Sequence, residues 1–246
     1  MEQRAVLVTG SSSGIGAAVA RRMTAAGMRV AVNSARSADA GRQLAQALPG
    51  AIYVQGDIAD ENDARRIVET TVAEFGRLDV LVNNAGVTER IAHDDLEAAT
   101  PEIWRRIFDV NVIGTWQMIT AALPHLRASG SGSIVNVSSV AGVRQTGSSV
   151  PYAASKAALN HMTRLLAAAL GPGVRVNAVA PGLIETPWTT GWADGFAQVS
   201  EWVKQSAPQQ RVGTAEEIAQ TILFLAEVPY TTGEVLLADG GLNLRI

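Results

Sequence analysis

The chain contains no cysteine. That excludes disulfides, thiolate nucleophiles and cysteine-ligated zinc, and it predicts a reducing, cytoplasmic setting. Histidine is nearly as scarce. His93, His125 and His161 stand at no helical ligand spacing to one another, so the pattern predicts no metal site. The formal net charge is only −3, which offers no basic surplus for nucleic acid or an anionic membrane. No apolar run approaches the ~18 residues that would span a bilayer. The amino terminus passes from Met1-Glu2-Gln3-Arg4 straight into a β-type run, without the longer apolar stretch of a signal peptide. These absences predict a soluble protein without a nucleic-acid or membrane partner.

What is present is a regular alternation. The 246 residues are 47% hydrophobic and 17% charged. Short β-branched runs are predicted as strands at Arg4–Thr9, Arg29–Asn33, Ile52–Gln55, Val80–Val82, Gly132–Val137, Arg175–Val179 and Glu234–Leu237. Helical patterns fall between them near 14–26, 38–48, 60–75, 100–128, 152–170 and 214–226. Several strand runs are apolar throughout, as expected when both sheet faces are buried. No linker or repeat divides the chain. The expectation is an α/β fold: one domain over 1–246 with an open, doubly wound, seven-stranded parallel sheet and helices on both faces. In such sheets a ligand sits beyond the carboxyl ends of the strands.

The first strand is followed by Thr9-Gly10-Ser11-Ser12-Ser13-Gly14-Ile15-Gly16 and a helix. Gly10 suits a tight turn, Gly14 a close approach of diphosphate to backbone, and Gly16 close packing of helix on strand. The helix amino terminus would then face the anion, making the sheet Rossmann-type. A plain strand-to-helix turn rich in small residues fits the same segment. Gly10-x-Ser12-x-Gly14 also matches a hydrolase nucleophile elbow, but no histidine lies in the last third of the chain to complete that triad. After the second strand, Asn33, Ser34, Arg36 and Ser37 offer donors and no acid. That favours NADP(H) over NAD(H), although Arg36 suits a solvated position equally well. Asp57, followed by Ile58, is placed either to accept from an adenine amino group or to serve only its own turn.

Lysine occurs twice, at Lys156 and Lys204, against 18 arginines, and tyrosine three times. One lysine nevertheless lies four residues after a tyrosine, in Tyr152-x3-Lys156, within a helical pattern that puts both on one face. An ammonium and an oxidised nicotinamide beside a phenol favour phenolate and draw its pKa toward the working range. A solvent-facing pair is the plainer alternative. The fifth strand ends at Ser138-Ser139, and a Gly- and Ser-rich loop leads back to Tyr152, so hydroxyl and phenol can meet over one carbonyl oxygen.

These elements, in this order, resemble the short-chain dehydrogenase/reductase family over essentially the whole chain, and within it the 3-oxoacyl-carrier-protein reductases. The matching segments are the Gly10/Gly14/Gly16 turn, Asn83-Asn84-Ala85-Gly86, Asn111, Ser139, Tyr152-x3-Lys156, and Pro181-Gly182-Leu183-Ile184-Glu185-Thr186. The resemblance implies that Tyr152 is the acid–base, Ser139 polarises the carbonyl, Lys156 binds the nicotinamide ribose and lowers the tyrosine pKa, and Asn111 holds a proton-relaying water. It implies that Ser12, Ser13 and Ile15 line the diphosphate turn and Asn84, Ala85 and Gly86 the adenosine ribose. Ile184 and Thr186, beyond Pro181 and Gly182, would fix the nicotinamide. Ser13 departs from the basic residue that many NADP-preferring relatives carry there. The expected activity is hydride transfer between NADP(H) and a carbonyl or secondary alcohol. An NAD-dependent alcohol dehydrogenase and a non-catalytic nicotinamide-binding regulator are the alternatives.

Trp188, Trp192 and Trp202 cluster after Thr186, which predicts either a mobile lid over 187–207 or a short helical pair burying its own aromatics. Gln145, Val150 and Trp188 are candidate pocket residues. Arg127 and Arg164 are the sparse candidates for docking an acidic carrier protein. The Ala- and Leu-rich fourth and fifth helices resemble the family's subunit interface, implying a homotetramer, with a dimer as the alternative.

Overall fold

The computed structural model describes residues 3–191 and 194–245. Seven parallel strands form one sheet. In chain order they are β1 (Ala5–Val8), β2 (Arg29–Ser34), β3 (Ile52–Gln55), β4 (Val80–Asn83), β5 (Gly132–Val137), β6 (Val174–Pro181) and, near the carboxyl terminus, β9 (Val235–Ala238). Their spatial order is β3-β2-β1-β4-β5-β6-β9. Val6 pairs with Val30 on one side and Val80 on the other, so the winding reverses at β1. That reversal opens a crevice at the carboxyl ends of β1 and β4.

The uniformly apolar strands are explained by what covers them. Side chains alternate across a strand. Val6, Val8, Val30, Val32, Val80 and Val82 enter one core with α1 (Gly14–Ala25), α2 (Ala38–Ala47) and α9 (Ala215–Glu227). Ala5, Leu7, Leu81 and Ile134 enter the opposite core with α3 (Glu61–Phe75), α5 (Thr115–Ala128) and α6 (Val150–Leu170). Local signals set the helix ends. The Asp60 carboxylate caps α3 by accepting from Asp63 N–H, and Gly76 ends it at φ 76°. Ser149 caps α6 by accepting from Tyr152 N–H, with Pro151 in the first turn, and this places Tyr152 in that turn.

The predicted 100–128 helix is not continuous. It divides into α4 (Pro101–Phe108), a π-helical turn at Asp109–Gly114, and α5. Contacts distant in sequence accompany the turn: a side chain at Gly114 would meet Ile58, and Asn111 turns inward to bond Val87 and Ser155. After β6 the chain forms β7 (Ile184–Glu185), α7 (Pro187–Thr190), α8 (Asp194–Ser206) and β8 (Gly213–Thr214), with β7 and β8 paired as a separate two-stranded sheet. Val203, Ala207 and Leu242 give this segment a small core of its own. Among the described residues, no helix is long and apolar enough to cross a membrane, and no cluster of three His, Asp or Glu could hold a metal.

Candidate active site

A cleft of about 1040 Å3 runs along the carboxyl ends of the strands. Its first wall is the β1–α1 turn. Gly10 (φ 60°) and Gly14 (φ 54°) hold left-handed conformations that only glycine adopts cheaply. Gly16 is constrained by contact instead: a Cβ there would lie 2.5 Å from Asn84 Nδ2 and 2.6 Å from the Gly10 carbonyl oxygen. Ser11, which the sequence reading passed over, stitches the turn to β2. Its hydroxyl donates to the Val8 carbonyl at 2.7 Å and accepts from Asn33 N–H at 3.0 Å. Ser13 caps α1 through its backbone alone, and no acid occupies the first helical turn. The first N–H groups of α1 therefore have no side-chain acceptor. A turn without side-chain bulk, ending on open donors, fits a diphosphate. Gly16→Ala is expected to cost about 1–3 kcal/mol of stability and to weaken dinucleotide binding. Thermal melts with and without nicotinamide cofactor check both effects.

Asn84 clamps this turn to β4, its amide donating to the Thr9 and Gly10 carbonyls at 3.0 and 2.9 Å, while Thr9 Oγ1 receives Asn84 N–H and Ala85 N–H. Asn33 differs from the expected free donor. Its amide is committed to the Val54 and Gly56 carbonyls, at 3.0 and 3.1 Å, and its oxygen faces Gly10 N–H. It braces the turn. Asp57 likewise uses one oxygen on Ala59 N–H at 3.0 Å, yet it lines the cleft together with Ile58, Arg36 and Ser37. Arg36 is exposed. It also borders a smaller hollow of about 430 Å3 with Arg66 and Asp63. Arg66 holds the Asp63 carboxyl below its usual range by hydrogen bond and charge. Ser12 and Gly16 lie outside the cleft wall, whereas Gly10, Ser13, Ile15, Ala85 and Gly86 belong to it.

Across from the turn, Ser139, Tyr152 and Lys156 share one wall. The Ser139 hydroxyl accepts from Ala141 N–H at 3.2 Å and sits where it favours ionisation of the Tyr152 phenol, and Lys156 Nζ lies 5.7 Å from the phenol ring centre. Two contacts seat α6 against the end of β5: Ser138 Oγ donates to the Lys156 carbonyl at 3.3 Å, and Asn160 Nδ2 donates to the Gly142 carbonyl at 3.0 Å. Lys156 is 4% exposed and donates to the Val137 carbonyl at 2.8 Å. Burial lowers its ammonium to about 8. Burial also raises the Tyr152 phenol, and Ser139 only partly offsets this. Lowering of the phenol was expected from Lys156 together with an oxidised nicotinamide, and Lys156 is itself desolvated and bonded to the Val137 carbonyl.

Asn111 sits behind this group rather than in the cleft wall. Its oxygen accepts from Val87 N–H at 2.8 Å, and its amide donates to the Val87 carbonyl and Ser155 Oγ, each at 3.0 Å. Gly86 is the thin partition: a Cβ there would lie 3.2 Å from Asn111 Oδ1 and 3.6 Å from Lys156 Nζ. Pro181, Gly182, Ile184 and Thr186 close the floor, with Thr186 also capping α7 and facing Gly14.

The far arm of the cleft was the least legible. Trp188 lines it, but Gln145 and Val150 are not part of its wall. Their neighbours Thr146, Gly147 and Ser148 take that place. The sequence reading also missed Arg90, His93 and Leu242, which come from two separate segments. The Ile91 N–H to Ser148 carbonyl bond, 2.8 Å, ties two of the loops together. The account in which the aromatics bury one another does not hold for Trp188 and Trp202, which remain 42% and 43% exposed while aliphatic side chains fill the local core. Trp192 lies outside the described residues.

Comparison with known proteins agrees with this geometry. The chain matches the enoyl-(acyl carrier protein) reductase family over residues 10–243. It is 59% identical to the granaticin polyketide synthase ketoacyl reductase 2 of Streptomyces violaceoruber, over 99% of this chain and 97% of that one. A solved short-chain dehydrogenase/reductase of Burkholderia xenovorans superposes with TM-score 0.91 at 38% identity, covering 99% of both chains. A gluconate 5-dehydrogenase of Burkholderia cenocepacia, solved with NADP and tartrate, gives 0.90 at 31% identity over 100% of this chain and 97% of that one. The chain is an oxidoreductase acting on ketone or alcohol substrates with a nicotinamide cofactor, and it belongs to the short-chain dehydrogenase/reductase family.

Proposed function

We propose that the protein reduces a ketone, of the 3-oxoacyl type, with NADPH, using Tyr152 as the proton donor. The observation that carries this reading is that Ser139, Tyr152 and Lys156 line the same cleft as the glycine turn. The bound cofactor supplies the hydride. Ser139 and Tyr152 direct two O–H groups at the substrate oxygen, where negative charge develops as the carbonyl is reduced. The phenol proton then passes to that oxygen. A phenol held above its usual pKa is protonated at neutral pH, which suits donation and hence the reductive direction. The Lys156 ammonium stabilises the phenolate left behind and offers donors to ribose hydroxyls. Asn111 fixes the backbone at Val87 and the Ser155 hydroxyl, which in turn donates to the Tyr152 carbonyl at 2.7 Å. It supports α6 at the point where the relay of protons to Lys156 would begin.

NADP(H) is favoured over NAD(H) because Arg36 and Ser37 border the cleft beyond β2 with no carboxylate at that strand end. Arg36→Asp is expected to weaken NADPH binding about tenfold or more and NADH binding less. Titration of both nicotinamides against wild type and variant checks this, and a wild-type preference for NADH would contradict it. The segment 187–207 serves as the substrate-side cover of a single catalytic domain. Half-exposed Ile113 and Trp116, with Leu165, supply an apolar helical face suited to a homotetramer, to be read by light scattering. A cytoplasmic location fits a cysteine-free chain.

A further inference from the structure

We infer that Trp188 and Trp202 form an aromatic wall that selects a planar, unsaturated ring on the substrate. This deepens the reading of the protein as a ketone reductase and rests on it. Beyond Ser139 and Tyr152 the cleft has two arms. The arm toward the glycine turn carries the polar backbone and Asp57. The other is bounded by Val140, Leu183, Val203 and Leu242, with Arg90 and His93 from the β4–α4 loop. Both indoles line the cleft as well.

Three observations give the arm its selectivity. First, the indoles are more than four-tenths exposed although neighbouring Val203 and Ala207 are buried. Their rings are therefore surface presented to the cleft and are not needed to close the local core. Second, they stand on fixed ground. Trp188 is in α7, whose first turn is held by the Thr186–Thr189 capping box, and Trp202 precedes Val203 in the small core with Ala207 and Leu242. Rigid aromatic side chains bind flat partners at low entropic cost. Third, Asp57 is the one carboxylate in the cleft wall among the described residues, and it lies at the dinucleotide end. Nothing acidic in the substrate arm would hold a cationic group, so the ring enters uncharged or acidic. A short aliphatic ketone would leave most of both indoles wet.

The test compares 4-phenyl-2-butanone with 4-cyclohexyl-2-butanone, which share the carbonyl and its flanking carbons and differ in the flatness and π character of the ring. Steady-state kcat/KM is measured with NADPH and NADH for wild type, Trp188→Leu, Trp202→Leu and the corresponding phenylalanine variants. Wild type is expected to favour the phenyl ketone about threefold or more. Each leucine variant should bring that ratio toward one, and each phenylalanine variant should restore it. Loss of folding lowers both substrates together and leaves the ratio in place, so the ratio separates recognition from stability. A wild-type ratio of one, or a ratio that both leucine substitutions leave unchanged, overturns the aromatic wall while ketone reduction stands. No turnover of either ketone with either nicotinamide overturns the reductase reading beneath it.

Discussion

Tyr152→Phe is expected to lower kcat for ketone reduction by about 10²- to 10⁴-fold, the range typical of a positioned general acid. Dinucleotide affinity should change little, because the glycine turn, the Asn84 clamp and the open α1 terminus are untouched. The phenylalanine ring keeps the packing of the first turn of α6, whose cap runs through the backbone N–H of residue 152. A loss in kcat with cofactor binding intact is the signature of a group acting in the transition state. Fluorescence titration of NADPH alongside stopped-flow turnover separates the two quantities. If the variant lost cofactor binding and kept its turnover at saturation, the phenol would be a scaffold for the nucleotide.

Lys156→Met should remove about two orders of magnitude from kcat/KM and change the pH profile. The wild-type ammonium titrates near 8, and the phenol stays protonated beyond that point because burial has raised it. Reduction by wild type is therefore expected to fall as pH rises through about 8, where the cation is lost. The methionine variant should lack that limb. Stability should move the other way. A lysine whose pKa is lower folded than unfolded costs stability fully below about 8, and the cost fades as pH rises toward the unfolded value of 10.5. The methionine variant should then melt higher than wild type at neutral pH, by a few kcal/mol at most. A stable but slow variant is the expected trade between burial of charge and catalysis. A wild-type pH limb that persisted in the variant would assign the ionisation to another group.

Much of this arrangement was legible in the residues because strong local constraints produce it. Strands buried on both faces must be apolar throughout, so Ala5–Val8 and Val80–Val82 announced a covered parallel sheet. The glycine turn was legible because Gly10 and Gly14 take positive φ and Gly16 has no room for a side chain. Tyr152 and Lys156 stood out through their scarcity and helical spacing. What escaped was set by contacts distant in sequence. The π turn at Asp109–Gly114 depends on Ile58, Val87 and Ser155, none of them near it in the chain. Asn33 looked like a donor for the cofactor until β3 and Gly56 were seen to take its amide. The far arm of the cleft draws on the β4–α4 loop, the β5–α6 loop and the chain end at Leu242, and no periodicity links those segments. The phenol's pKa direction was also beyond sequence reasoning, since it depends on how completely the ring is desolvated.

The central claim is that one hydroxyl and one phenol act together on a single oxygen. A double-mutant cycle on Ser139→Ala and Tyr152→Phe tests it most directly, using single-turnover oxidation of bound NADPH by a ketone. Groups that work as a unit give non-additive losses. The double variant is predicted to be little slower than Tyr152→Phe alone. Two losses that multiply in full would place the serine and the tyrosine on separate tasks and contradict the account.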